Sequence, residues 1–406
     1  MKSTGFRFRT ALTAGALIAA TPLGAYAADS ASAPFKIGYI TDATGPMQGT
    51  FRDTWVGFEL YVNDLNASGG INGRKIEVQL KDVQSDTQKS VNAVHELASA
   101  GVSGIAGLAV SSTHVATYAA AEQYGLSVVA GFPPNFPIVL EPAVKHVFGA
   151  GDVFTVSNQI TGKIARNIAP EGKRLACVSF EAPGSILSCE TTLKSAREAG
   201  FTETQIFIVP QNQRDFRGVA TNILNFNPDV VTDCFGQSHF IGLLPALGSL
   251  GYDGIYLSYE TGIGDNIKRR TAASAPDSNF YTYSRYIAGK DVSADGEQAK
   301  KLQAAAEKAG LKEVIAAHSA GWVLGQIVAD AFSRCEGECK PDAFNKALTQ
   351  VNVDPGGLTG VNVKYTETDH YGPTAYRVYH LDREADDFKP VGDWYQLAPG
   401  RREVAK

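Results

Sequence analysis

The chain has 406 residues, a net charge of −5, and 44% hydrophobic against 19% charged residues. That length favours two domains over one, with enough apolar residues for sizeable cores. No basic block or stripe is present, so nucleic acid and anionic membrane are poor fits as partners.

Residues 1–27 read as a separate export signal. Lys2, Arg7 and Arg9 form a positive start, and Ala11 to Ala20 is an apolar segment well short of the roughly 20 residues a membrane span needs. Ala25 and Ala27 then occupy the small-residue positions of a cleavage site. Cleavage is expected after Ala27; the competing reading is an N-terminal membrane anchor. No cysteine lies near the cut, which argues against a lipid anchor and leaves the mature chain free in the periplasm.

From Phe35 strand and helix patterns alternate. "FKIGYIT" is a strand, and Trp55, Phe58, Val62 and Leu65 line one face of a helix that stops at "ASGGINGR". "KIEVQL" is a half-buried strand, followed by a helix marked by Val91, Val94 and Leu97. "GVSGIAGLAV" is a strand, "THVATYAAAEQYG" a helix and "LSVVAG" a strand. A second series follows: "RLACVSF", "QIFIVP", "DVVTDCF" and "GIYLSY", with helical segments near 185–199, 216–226 and 238–250. "AEKAGLKEVIAAHSAGWVLGQIVADAFSRC" reads as one long helical stretch, and "AYRVYHLD" returns to strand. Two βα series predict two parallel sheets flanked by helices. The stretches near 146–154 and 279–287 read as crossings between them. Ligands of such sheets sit beyond the carboxyl ends of the strands.

The five cysteines fit an oxidising compartment. Cys335 and Cys339, in "CEGECKP", are close enough to bridge across a turn at a helix end. A metal reading of that pair lacks a second Cys/His pair at zinc spacing. Cys177, Cys189 and Cys234 leave at least one thiol over, and their pairing stays open.

Enzyme signatures fail one after another. "QITGKIA" lacks the first glycine and the hydroxyl of a phosphate-binding loop, and "ETGIGDNIK" lacks a dinucleotide fingerprint. "AHSAG" around Ser319 looks like a nucleophile elbow, but it lies inside a helical pattern rather than at a strand-to-helix turn. The seven histidines form no metal-binding pair at short spacing. No catalytic residue, metal or cofactor is therefore expected.

Taken together, "TDATGP", "NDLNASGGINGRKIEVQLKDVQSDTQKSVNAVHEL", "GIAGLAVSSTHVATYAAAEQYGLSVVAG", "RDFRGVATNILNFNPDVV" and "YETGIGDN" resemble the periplasmic branched-chain amino-acid-binding proteins of ABC transporters. The likeness covers essentially the whole mature chain. It implies an α/β fold of two Rossmann-like lobes joined by a three-segment hinge, the type I periplasmic binding protein arrangement. The lobes are expected over 34–149 plus about 283–362, and over 150–282 plus about 363–406. The likeness also implies a monomer that closes on a small ligand and serves a permease.

By the same resemblance, Ser111 and Ser112 grip a ligand carboxylate at the turn after the third strand, with Thr113 beginning the helix. Glu260 meets the ligand ammonium, and Tyr259 beside it either walls the pocket or only packs. Gln48, Thr50 and Phe51 line it from the opening loop. This chain departs from the family pattern at "AGFPPNFP", which brings Phe132 to the pocket, and at "SFEAPGSILS", which lacks the expected tyrosine. The expected ligand is a small neutral amino acid with a branched or bulky apolar side chain. Alternatives are an amine-free aromatic or aliphatic carboxylate, or a sensing role for a signalling receptor.

Overall fold

The structure is a computed structural model in which residues 33–45, 48–108, 111–131, 143–151, 154–210, 212–234, 237–259, 279–288, 296–382, 384–385 and 387–397 are described. The first sheet contains β1 (Phe35–Thr41), β2 (Ile76–Asp82), β3 (Gly104–Gly107), β4 (Ser127–Ala130) and β5 (Val147–Gly149). All pairings are parallel, and the spatial order is β2-β1-β3-β4-β5. Helices α1 (Gln48–Ala67), α2 (Thr87–Ser99) and α3 (Ser111–Glu122) are its crossovers. Side chains of β1 and β3 are almost wholly buried, as expected of parallel strands covered on both faces.

The second series begins with α4 (Phe154–Ile168) and runs through β6 (Arg174–Phe180), α5 (Pro183–Glu198), β7 (Glu203–Val209), α6 (Arg217–Phe226), β8 (Val230–Cys234), α7 (Gln237–Ser249) and β9 (Ile255–Tyr259). β10 (Phe280–Ser284) then pairs parallel to β9. The chain next returns to the first sheet with α8 (Glu297–Lys308), α9 (Ala316–Ser333), α10 (Pro341–Leu348) and the two-stranded pair β11 (Asn352–Val353) and β12 (Val363–Lys364). It ends on an antiparallel hairpin, β13 (Ala375–Asp382) and β14 (Asp387–Gln396), that extends the second sheet. The order there is β14-β13-β10-β9-β8-β6-β7.

The chain thus passes between the sheets three times, after β5, after β10 and after β12. The crossings are bonded to one another and to the first lobe. The Tyr286 hydroxyl donates to the Ala150 carbonyl, the Tyr365 hydroxyl to the Gly149 carbonyl at 2.9 Å, and the Gly149 N–H to the His370 carbonyl at 2.9 Å. The His370 ring stacks on Phe148 with centroids 3.8 Å apart. Ser319, the residue of the rejected elbow, sits within α9 and donates to the Ile287 carbonyl at 2.8 Å.

Three expectations need correction. The stretch 306–335 is not one helix but the last turn of α8 and the whole of α9, because the chain turns where the Leu311 N–H bonds back to Ala306 and His318 Nδ1 accepts the Ile315 N–H at 3.1 Å. Residues 280–284 are a full strand of the second sheet, so the crossing starts only after Ser284. Helix α3 begins at Ser111, two residues ahead of Thr113.

Helices α1 and α9 cross at backbone contact. A Cβ on Gly57 would lie 2.0 Å from the His318 carbonyl oxygen, and one on Gly321 would lie 2.0 Å from that of Thr54. The helix α9 meeting this face is buried almost all round, with Trp322, Leu324, Ile327 and Val328 at 0% exposure. Gly57→Ala adds helix propensity but forces the backbones apart, and we expect a net loss of about 1–3 kcal/mol. Urea unfolding checks this; an unchanged midpoint contradicts the close crossing.

Candidate functional site

In an open parallel sheet the crevice forms where successive strands are added in opposite directions, because the loops above that point diverge. In the first sheet this point lies between β1 and β3, and in the second between β6 and β8. The loops leaving those four strands define the candidate site.

After β1 the chain is held by a polar network. The Thr41 hydroxyl donates to the Phe51 carbonyl at 3.1 Å, and buried Asp42 accepts from Ser85. Asp82, at the end of β2, accepts the Ala43 N–H at 3.0 Å, the Thr44 hydroxyl at 2.6 Å and the Gln84 N–H at 3.3 Å. The Gln84 side chain donates to the Thr44 hydroxyl at 3.0 Å and accepts from Lys89. Gln84 and Ser85 both have positive φ, 53° and 58°, so this turn is held in a conformation side chains rarely adopt. The network fixes residues 42–45 in front of α1.

Leu108, the first residue beyond β3, has φ 91° and its N–H donates to the Ile40 carbonyl at 2.8 Å. A buried leucine at such an angle is strained, and strain of this kind collects at binding loops. It delivers the chain to Ser111, where α3 opens with its first N–H groups unpaired along the helix, suited to an anion. Ser111 and Ser112 therefore lie at a helix N-terminus on the switch point. Gln48 opens α1 and is exposed, Thr50 follows in the same helix, and Phe51 is buried.

In the second lobe, Ser185 in the first turn of α5 ties β6 to β8. Its hydroxyl accepts the Phe180 N–H at 3.0 Å and donates to the Cys234 carbonyl. Tyr259 ends β9 at 5% exposure, edge-on to Tyr283 at 5.1 Å. Glu260 and Phe132 lie outside the described residues.

Sequence reasoning passed over Arg285. It is 1% exposed, and its guanidinium lies 5.9 Å from the Tyr259 ring centre and 5.6 Å from that of Tyr286. A Cβ on Gly151 would fall 2.1 Å from its Nη1, so the side chain is pressed against the first crossing. The signal was a lone cation in the apolar run "NFYTYSRYI". The arrangement places one buried positive charge where two crossings meet the end of β9.

Cys335 is bonded to Cys339, and Cys177 to Cys189, leaving Cys234 as the free thiol among the described residues.

The pattern of the family described as periplasmic binding protein matches residues 34–387. The Leu/Ile/Val-binding protein homolog 3 of Brucella melitensis is 22% identical over 216 residues, 53% of this chain and 57% of that protein. The chain thus spans a little over half the length of that curated relative. The Streptococcus pneumoniae branched-chain amino acid transporter substrate-binding protein, solved in complex with isoleucine, superposes with a TM-score of 0.73 at 17% identity. That match covers 90% of this chain and 100% of the other. A solute-binding protein of an R. palustris ABC transporter, in complex with 4-hydroxybenzoate, gives 0.75 at 15% identity over 91% and 98%. At these identities the likeness concerns the fold.

The Asp82 network yields a test. Desolvation pulls its carboxyl upward, but the Thr44 hydroxyl and the Ala43, Gln84 and Thr44 N–H groups outweigh that and hold it below the ordinary 3.8. A depressed carboxyl stabilises the fold above its unfolded pKa and loses that contribution as pH falls through the folded one. Asp82→Asn is therefore less stable than the wild type at neutral pH, and the gap closes as pH drops below about 3.8. Urea midpoints against pH measure it; a gap independent of pH contradicts the network.

Proposed function

Because the chain belongs to the periplasmic binding protein family, we propose that it captures a small organic acid between its two lobes and delivers it to the permease of an ABC importer. The observation that carries this reading is the pair of switch points, one per lobe, each furnished with loop donors and joined by three crossings. Export after cleavage at Ala27, a periplasmic location and a monomeric state accompany the proposal. Among the described residues no helix is long and apolar enough to cross a membrane.

The favoured ligand is a small neutral amino acid with a branched or bulky apolar side chain. Ser111 and Ser112 take its carboxylate, aided by the N-terminus of α3. Glu260 takes its ammonium through a charge-assisted bond. Gln48, Thr50, Phe51, Phe132 and Tyr259 wall the apolar part. An amine-free carboxylate is the second reading, in keeping with the departures from the family pattern at "AGFPPNFP" and "SFEAPGSILS". The solved relatives carry one ligand of each kind, isoleucine and 4-hydroxybenzoate.

Mass spectrometry of small molecules released on unfolding the purified protein separates the two. Release of an amino acid, with at least a tenfold affinity loss in Glu260→Gln, about 1.4 kcal/mol or more, supports the first reading. An amine-free acid, with Glu260→Gln unchanged, removes the ammonium assignment and supports the second. A released molecule with no acid group contradicts both.

A further inference from the structure

Behind the second switch point, three cysteines converge from three different elements. Cys177 lies on β6, Cys189 on α5 and Cys234 at the end of β8. Cys177 stands opposite Thr232 in the parallel register, so Cys234, two residues on, projects from the same face. The Sγ atoms of Cys177 and Cys234 are 3.7 Å apart, and all three sulfurs lie within 4.8 Å of one another. Thiolates sharing one zinc-sized ion, each at about 2.3 Å, sit roughly 3.8 Å apart. The separation between strands thus already suits an ion placed between them.

The surroundings suit such an ion as well. Asn158 Nδ2 lies 3.7 Å from the Cys234 sulfur, and the Thr192 side chain hydrogen-bonds the same atom. Both are donors that stabilise a thiolate and hold it in place, as outer groups do around metal ligands. Cys177 and Cys189 are fully buried, and all three donors are soft sulfur.

We propose that Cys177, Cys189 and Cys234 form a redox-gated site for a thiophilic d10 cation, shut while the Cys177–Cys189 disulfide stands and opened when a dithiol reduces it. The dithiol supplies two electrons and two protons, the Cys177–Cys189 bond breaks to two thiols, and the dithiol leaves as its own cyclic disulfide. A divalent cation then binds the three sulfurs and displaces three protons. The three displaced protons pass to solvent. The site rests on the cysteine cluster alone and stands or falls independently of the transport reading.

The test uses the full chain with Cys335→Ser and Cys339→Ser, which removes the other sulfur pair. Cadmium is titrated before and after anaerobic dithiol treatment, with ultraviolet thiolate-to-cadmium absorption and circular dichroism as readouts. One equivalent is expected to bind only after reduction, and Cys234→Ser or Cys234→Ala is expected to weaken it at least tenfold. Absence of that equivalent in the reduced chain, equal binding by both Cys234 variants, or a reduced chain that stays unfolded with cadmium present overturns the proposal.

Discussion

The constraint on which this structure depends is the handedness of parallel crossovers. A strand, helix and parallel strand connect right-handed, so a sheet grows on both sides of its first strand only by reversing direction. β1 has β2 on one side and β3 on the other, and β6 stands likewise between β7 and β8. Each reversal opens a crevice at the carboxyl ends of the strands. The polar turn of Asp42, Asp82 and Ser85, the strained Leu108, and the Ser185 staple all sit at those crevices.

The three crossings make the two crevices one device. A single connection would tether the lobes more loosely than these three do. The bonds of Tyr286, Tyr365 and Gly149 across these segments, and the His370 stack on Phe148, concentrate buried polar and aromatic contacts there. Arg285 lies in the same zone, pressed on Gly151 and next to Tyr259.

The alternating pattern was legible because parallel strands buried on both faces read as short apolar runs between amphipathic helices. "FKIGYIT" and "RLACVSF" are such runs, and both are strands. The closing hairpin was half seen: β14 carries Pro390 and Gly392 and is largely exposed beyond Phe388, so its apolar signal is weak. The break between α8 and α9 was missed because apolar residues continue through Val314 and Ile315, which are buried or half-buried on the core without being helical. Of the candidate site, the strand-end positions were readable and the long-range partners were not. Nothing local in "SFEAPGSILS" says that Ser185 will bond the carbonyl of Cys234, 49 residues away. Arg285 was visible as an anomaly, but only packing against Gly151 and Tyr259 shows where it sits.

The central claim is that two lobes close on a ligand at facing switch points, and small-angle scattering tests it most directly. The protein is stripped of bound small molecules by unfolding and refolding, then measured alone and with a saturating amount of the molecule it released. The account predicts a smaller radius of gyration with ligand, from rigid-body closure about the three crossings. An identical radius in the two states would contradict it.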